Sequence, residues 1–233
     1  MKTRLINAVL IAVTGFFMMF MVYHLAYADD VWMDAGVRSY MPSDDNVMSS
    51  TGGYARIGWK AVYLAVGTLG EQTDRAAGQR VADRTTNYVD LGLRKCWSWD
   101  WVETEIFAEA GYYWHEIDDS PTQLHALKLH MMKEFGPGSS RDDKGGTNFN
   151  RAQYEVDNGF GGQAGIGIKA APWDYLKVGL NAGYLFLQPD AQSRLLVDRP
   201  GSQHDYRVAG CWQETGKLKL DGLFFGCAVE FLF

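Results

Sequence analysis

The chain has 233 residues and a formal net charge of −6, with 22 basic against 28 acidic side chains. This balance lacks the basic footprint of a nucleic-acid-binding protein. Its three cysteines, Cys96, Cys211 and Cys227, are too widely spaced for a metal motif, and an odd number leaves at least one without an intrachain partner. We interpret them as small packing residues. The sequence predicts no cofactor and no metal site.

The first 28 residues have the pattern of a secretory signal peptide. MKTR carries two positive charges, an apolar run covers residues 8–22, and Ala26-Tyr27-Ala28 is a small-x-small cleavage site. An uncleaved anchor is the alternative, because residues 5–23 are nearly long enough to span a bilayer. We predict cleavage after Ala28, which leaves residues 29–233 as one exported domain.

The exported domain has no second apolar run long enough for a spanning helix. Without Lys2 and Arg4 it carries 20 basic and 28 acidic residues, a net charge of −8. The domain is therefore either soluble or crosses a membrane as a closed barrel, the other structure that satisfies every backbone group in lipid.

Apolar and polar residues alternate along most of the domain, which indicates strands. Ile57 and Trp59 alternate with Arg56 and Lys60, for example, although the alternation is poor in 191–199. The predicted strands are 52–67, 86–98, 100–117, 159–171, 175–187, 191–199, 203–220 and 223–233.

Two features favour a membrane barrel over a soluble sandwich. The non-apolar face of the strands is rich in glycine and sparing in charge, which suits a narrow lumen. Aromatic residues cluster at the two short turns SWD and PWD, and Tyr112 and Trp114 follow about a dozen residues later. A dozen residues at ~3.3 Å each, tilted by ~40°, rise roughly 30 Å, close to an apolar band with its girdles.

The C-terminal stretch GLFFGCAVEFLF alternates up to its last residue. It resembles the insertion signal of bacterial outer-membrane barrels, which implies that Val229, Phe231 and Phe233 guide assembly. GIGIKAAPWDYLKVGLNAGYLF and VDLGLRKCWSWDWVETEIFAEAGYYW are similar to the tight hairpins of small opacity-type and porin-like barrels. The resemblance covers about half of the exported domain.

The predicted fold is all-β, a closed antiparallel up-and-down transmembrane barrel of eight strands. Short turns of such barrels are periplasmic and long loops are extracellular, so loops 68–85 and 118–158 are predicted outside. Residues 31–40 could add a strand, which makes ten strands the alternative.

Loop 118–158 has signals of a short amphipathic helix. Ser120 is a candidate N-cap, Pro121 suits the first helical position, and Gly136-Pro137 ends the segment. A disordered loop is the alternative.

The few charged residues on the non-apolar face of the strands predict ion pairs in the lumen. A two-residue turn at Trp99-Asp100 would place Arg94 opposite Glu105 and Asp90 opposite Glu109. We interpret the cluster as a structural plug rather than a permeation site, because eight strands leave an interior filled by side chains. The predicted lumen cluster comprises Arg94, Glu103, Glu105, Asp90, Glu109, Arg56 and Lys60.

These observations favour a structural or surface-interaction role, adhesion-like, in a Gram-negative outer membrane. The predicted partners are outer-membrane lipid and lipopolysaccharide, the barrel-assembly machinery during insertion, and an extracellular partner at the loops, with no nucleic acid.

The alternatives are a lipid-modifying enzyme acting on lipid A acyl chains and a soluble exported β-protein. Ingredients for catalysis occur together near the loop, but no Ser or His falls at a matched barrel position with an acid to orient it. We therefore assign no catalytic residue. The residues considered were His115, Asp118, Asp119, Ser120, His125 and His130.

Overall fold

The computed structural model describes residues 31–76, 79–118, 151–199 and 207–233, and strands dominate this part of the chain. No helix within it is long and apolar enough to cross a membrane. The predicted signal peptide 1–28 and the predicted helix of loop 118–158 lie outside the described residues. The strands are β1 (Val31–Pro42), β2 (Ser50–Trp59), β3 (Val62–Ala76), β4 (Gln79–Trp99), β5 (Val102–Asp118), β6 (Arg151–Val156), β7 (Gly159–Trp173), β8 (Leu176–Phe186), β9 (Asp190–Arg199), β10 (Arg207–Lys217) and β11 (Gly222–Leu232).

Eight of these strands close into a barrel in the order β1-β11-β8-β7-β5-β4-β3-β2. All neighbours are antiparallel, and the seam between β1 and β11 is paired from Trp32↔Leu232 to Pro42↔Gly222. Closure leaves no unpaired edge within the barrel. The predicted closed eight-stranded antiparallel barrel is confirmed.

The count of eight is right, but the strand assignment is wrong at four segments: 52–67, 31–40, 191–199 and 203–220. Residues 52–67 form two strands, β2 and β3, joined by a turn at Lys60-Ala61, where Lys60 has a φ of 52°. An unbroken alternation from Ile57 and Trp59 would place Tyr63 on the outer face, but the turn changes the alternation and Tyr63 lies inside the barrel, 1% exposed.

The N-terminal segment 31–40 belongs to β1 and completes the barrel. Residues 191–199 and 203–220 do not contribute barrel strands, since β9 and β10 pair in a separate sheet of order β10-β9-β6. The poor alternation of 191–199 agrees with its place outside the barrel.

The separate sheet continues one wall of the barrel. β6 runs into β7, β9 follows β8, and β10 runs into β11, in the same lateral order as the barrel wall β11-β8-β7. On another side, the predicted loop 68–85 is instead a strand extension, because β3 and β4 stay paired as far as Ala76↔Gln79. We call this end the loop end, and the opposite end, with turns Lys60-Ala61, Asp100-Trp101 and Asp174-Tyr175, the turn end.

The barrel is inside-out relative to a soluble protein. Leu91, Ile166 and Leu180 are 61%, 63% and 64% exposed on its outer wall, while Arg38 and Glu230 are 1% and 0% exposed inside. Aromatic side chains border the apolar band at both ends, as in membrane barrels. The turn end carries exposed Trp59, Trp97, Trp99, Trp101, Trp173 and Tyr175, and towards the loop end Tyr112 packs on Phe160 at 5.6 Å.

Candidate functional site

Glycine on one wall of the lumen makes room for large side chains from the other. A Cβ atom at Gly92 would lie 2.1 Å from Cζ of Tyr63, and one at Gly58 would lie 2.4 Å from the Trp32 ring. The inward-facing residues of the eight strands are therefore packed against each other, as expected for a barrel of this size.

Ion pairs fill the lumen near the turn end. Lys169 of β7 donates hydrogen bonds to Glu105 Oε2 at 2.7 Å and to Glu230 Oε2 at 2.6 Å. Lys177 of β8 donates to Glu103 Oε2 at 2.8 Å, and its Nζ lies 3.4 Å from Glu230 Oε1. These contacts join β5, β7, β8 and β11 across the lumen.

The register of the β4–β5 hairpin differs from the prediction by two residues. The turn residues are Asp100-Trp101, with Trp99 opposite Val102. Asp100 has a φ of 49°, a left-handed conformation that aspartate tolerates better than most residues. The observed opposite pairs are Arg94↔Phe107 and Asp90↔Gly111, in place of the predicted Arg94–Glu105 and Asp90–Glu109.

The Arg94 side chain nevertheless points into the lumen and reaches Glu105. Its Nη1 lies 3.7 Å from Glu105 Oε2 and donates a hydrogen bond to Glu230 Oε2. Its guanidinium carbon stacks over the Trp32 ring, 3.2 Å from the centroid. The interaction of Arg94 with Glu105 thus occurs diagonally and is shared with a carboxylate of β11.

Arg38 of β1 holds the centre of the lumen. Its Nη1 donates hydrogen bonds to Glu109 Oε1 at 3.0 Å and to Gln163 Oε1 at 2.9 Å, and its Nε donates to Asn181 Oδ1 at 3.3 Å. The guanidinium carbon also lies 4.1 Å from the centroid of the Tyr54 ring. Arg38 therefore bridges polar side chains of β5, β7 and β8 from the far wall.

Arg56 of β2 is shared among three carboxylates. Its terminal nitrogens lie 3.5 Å from Asp34 Oδ2, 3.6 Å from Glu105 Oε1 and 3.9 Å from Glu109 Oε1. The ring of Phe107 packs 4.5 Å from its guanidinium carbon. With a side chain that is 0% exposed, Arg56 adds a buried positive charge shared by three carboxylates that also contact Arg38, Arg94 or Lys169.

Within the ion-pair network of the turn-end and central lumen, the described residues contribute equal numbers of positive and negative charges. A buried charge needs an opposite charge nearby, and each member lies within 4.0 Å of at least one. Arg56 and Asp34 are paired by charge alone, since none of their side-chain atoms has a hydrogen-bond partner in the described structure. The network comprises Arg38, Arg56, Arg94, Lys169 and Lys177 with Asp34, Glu103, Glu105, Glu109 and Glu230.

A smaller polar group lies towards the loop end. Arg84 binds Asp74 through two nitrogens, Nε to Oδ2 at 2.9 Å and Nη2 to Oδ1 at 3.1 Å. Tyr154 of β6 donates to the same Asp74 Oδ2 at 3.1 Å, which ties the external sheet to the β3–β4 hairpin. Apolar side chains near this end belong to the buried core: Val47, Leu69, Val156, Leu185, Leu187, Leu218 and Leu220.

Six of the seven predicted lumen residues lie inside the barrel. Lys60 does not; it is exposed in the β2–β3 turn, with its Nζ 5.0 Å from the centroid of the Trp59 ring. Asp90 is inside but outside the ion-pair network, because its Oδ2 accepts a hydrogen bond from Tyr113 at 2.8 Å. The residues inside are Arg56, Asp90, Arg94, Glu103, Glu105 and Glu109.

Sequence reasoning missed five members of the network: Asp34, Arg38, Lys169, Lys177 and Glu230. The signal was present in β1, where Trp32, Asp34 and Arg38 share one parity in VWMDAGVRSYMP. Glu230 has the inward parity on β11, whereas the predicted insertion-signal residues Val229, Phe231 and Phe233 are 37%, 46% and 60% exposed.

The residues considered for catalysis are not brought together in the described part of the chain. His115 Nδ1 lies 2.9 Å from Thr86 Oγ1 and 3.5 Å from Arg84 Nη1, and Asp118 ends β5. Asp119, Ser120, His125 and His130 lie outside the described residues. No group of three or more metal-ligating side chains occurs among the residues that the structure describes.

A closed eight-stranded antiparallel barrel, with an apolar wall between aromatic girdles and a charged, packed lumen, defines the class of small outer-membrane barrels. No protein-family model and no curated protein matches the sequence.

The chain was also compared with solved structures of outer-membrane proteins. The outer membrane protein OprG from Pseudomonas aeruginosa superposes with a TM-score of 0.58 at 10% identity, covering 88% of this chain and 97% of that one. Outer Membrane Protein W of E. coli superposes with a TM-score of 0.47 at 10% identity, covering 88% of this chain and 98% of that one. Neisserial surface protein A superposes with a TM-score of 0.39 at 14% identity, covering 87% of this chain and 96% of that one. At this identity the likeness to OprG concerns the fold.

Proposed function

We propose that the protein is a structural or surface-interaction barrel of a Gram-negative outer membrane, exported with cleavage after Ala28. The observation that carries the proposal is the combination of an apolar outer wall with a lumen sealed by shared ion pairs. In this proposal the barrel-assembly machinery inserts the chain with the help of Val229, Phe231 and Phe233, and the loop end faces outwards into lipopolysaccharide and the medium.

The lumen network supports a closed barrel. An ion that entered would have to displace paired side chains such as Lys169, which contacts Glu105 and Glu230 at hydrogen-bond distance. Breaking such buried pairs without replacement is strongly unfavourable. The function of the protein therefore belongs to its external surface rather than to transport through its centre.

The loop end supplies that surface. The β3–β4 extension and the sheet β10-β9-β6 both project beyond the barrel, and Tyr154 and Asp74 join them by a hydrogen bond of 3.1 Å. A strand-paired external surface of this kind suits contact with a partner better than isolated loops would, because less ordering entropy is lost on binding.

The test combines location with conductance. We expect the protein in the sarkosyl-insoluble outer-membrane fraction, with a band that shifts on boiling, and no stable channel after reconstitution into planar bilayers. A soluble periplasmic protein would contradict the location, and steady unitary currents from the wild type would contradict the sealed lumen.

A further inference from the structure

A cleft of about 520 Å³ opens on the outer wall of the barrel, at the loop end of β8 and β11. Tyr184, Phe186, Leu187, Gln188 and Asp221 line it. These residues are not members of the lumen network, and the proposed sealing of the lumen does not involve them.

Asp221 accepts three side-chain hydrogen bonds in this cleft. It accepts hydrogen bonds from Tyr184 Oη at 3.0 Å, from Gln188 Nε2 at 3.0 Å and from Ser43 Oγ at 3.2 Å. Slight burial acts to raise the pKa of the Asp221 carboxyl, but the hydrogen bonds from Gln188, Tyr184 and Ser43 outweigh it and keep the pKa below its usual value. A carboxylate has about four acceptor sites, so it can accept a further hydrogen bond from a ligand.

Aromatic rings stand beside this carboxylate. The rings of Tyr184 and Phe186 are 4.9 Å apart at an interplanar angle of 51°, and Phe186 is 57% exposed. A hexose ring presents an apolar C–H face and a rim of hydroxyl or amide groups. An aromatic face flanked by a carboxylate and an amide matches both parts of such a ring.

The position of the cleft along the barrel indicates which kind of molecule carries the sugar. Towards the turn end, the residues of β8 with the same outward parity as Tyr184 are Ala182 and Leu180, and Leu180 is 64% exposed. Leu223, directly opposite Tyr184, and Met41, opposite Leu223, extend the apolar wall sideways at the level of the cleft and are 51% and 49% exposed. Asp221 and Gln188, in contrast, belong to connections with the external sheet. The cleft therefore lies where the polar headgroup of a membrane lipid meets its acyl chains.

We propose that this cleft binds the acylated amino-sugar headgroup of an outer-leaflet glycolipid. The sugar face packs on Phe186, an amide or hydroxyl hydrogen is donated to Asp221, and the acyl chains run towards the turn end along Ala182 and Leu180 of β8. The inference rests on the proposed function, since it needs the barrel to lie in a membrane with its loop end in the glycolipid leaflet.

The test measures lipid A binding to the full-length protein in phosphatidylcholine nanodiscs by native mass spectrometry. Phe186→Ala and Asp221→Asn should each weaken binding about tenfold, the loss expected for one aromatic or charged contact. Phe225→Ala is the matched control, because Phe225 is 49% exposed on the same strand wall but outside the cleft; its binding should equal that of the wild type.

Two further probes decide the ligand class. Phosphatidylglycerol that binds as tightly as lipid A, with the same sensitivity to Phe186→Ala, would overturn the sugar assignment. Free diglucosamine that competes at the same concentration as lipid A would overturn the glycolipid assignment. Equal binding by the wild type and both cleft variants would overturn the site.

Failure of the site is distinguishable from failure of the proposed function. Each variant is first checked for a heat-modifiable band in the outer-membrane fraction. If the band is present and lipid A binding does not depend on the cleft, the glycolipid site is wrong while the barrel remains. If the wild type lacks the band, the membrane location itself is wrong.

Discussion

At the scale of single residues, the lumen is a network rather than a set of pairs. Glu230 contacts Arg94, Lys169 and Lys177, and Lys169 in turn also contacts Glu105 and lies 3.9 Å from Asp34. Loss of one member therefore leaves several opposite charges buried without their partner, and the effects of nearby substitutions should not add.

Lys169→Met should destabilise the barrel by ~3–5 kcal/mol, because it removes the only cation at hydrogen-bond distance from Glu105 among the described side chains. The measurement is urea unfolding in lipid vesicles. Lys177→Met is the matched control: its side chain is 13% exposed, against 4% for Lys169, so water compensates part of its loss and a smaller effect is expected.

The double variant Lys169→Met with Glu230→Leu extends this test. An isolated buried pair can be replaced by apolar residues at little cost, but here Arg94 and Lys177 would lose Glu230 as well. We expect the double variant to remain at least as unstable as Lys169→Met. Recovery to wild-type stability would show that the contacts are independent pairs.

Sequence periodicity predicted part of the set of charged residues that face the lumen, but not their contact partners. Arg94 and Glu105 have inward parity in a plain alternation, and both are inside. The preference of Arg94 for Glu230 depends on barrel closure, which brings β4 and β11 face to face although 136 residues separate the two side chains. No local pattern encodes such a distance across the lumen.

At the scale of elements, strands with regular alternation were predictable and those without were not. β5, β7, β8 and β11 occur close to their predicted limits, because one face had to be apolar throughout. The segment of β10 alternates as a strand does and that of β9 does so poorly, yet both form strands beyond the membrane band. Two-residue periodicity alone does not distinguish an external strand from a spanning one. The β2–β3 turn was missed because Lys60-Ala61 lacks the glycine or asparagine typical of tight hairpins.

Leu180→Arg should destabilise the barrel by ~2–4 kcal/mol in vesicles, since a charge near the middle of the apolar band must leave water. Leu180 lies near the centre of β8 and is 64% exposed on the outer wall. Glu116→Arg at the exposed loop end of β5 is the control, and it should change the free energy of unfolding little. Equal effects of the two substitutions would place Leu180 outside the lipid.

At the scale of the whole molecule, closure depends on β1, the strand that sequence analysis left optional. β1 supplies Asp34 and Arg38 to the lumen and pairs on both sides, with β2 and with β11. Without it, β2 and β11 would present unpaired edges to lipid, which a membrane does not tolerate. The register of the β1–β11 seam therefore fixes the whole barrel.

That register can be tested with a cysteine already in the chain. Val37 is directly opposite Cys227, and both side chains are exposed on the outer wall. In a background of Cys96→Ser and Cys211→Ser, Val37→Cys should form a disulfide with Cys227 under mild oxidation, because opposite residues are ~5.5 Å apart at Cα while diagonal ones are ~7–8 Å apart. Ala35→Cys and Ser39→Cys, whose opposite residues are Val229 and Phe225, are the controls and should react more slowly.

Mass spectrometry of the linked peptides, with faster migration on a non-reducing gel after boiling, provides the readout. Faster cross-linking of either control would show that the seam is shifted by two residues, and no cross-link from any of the three would remove β1 from the barrel.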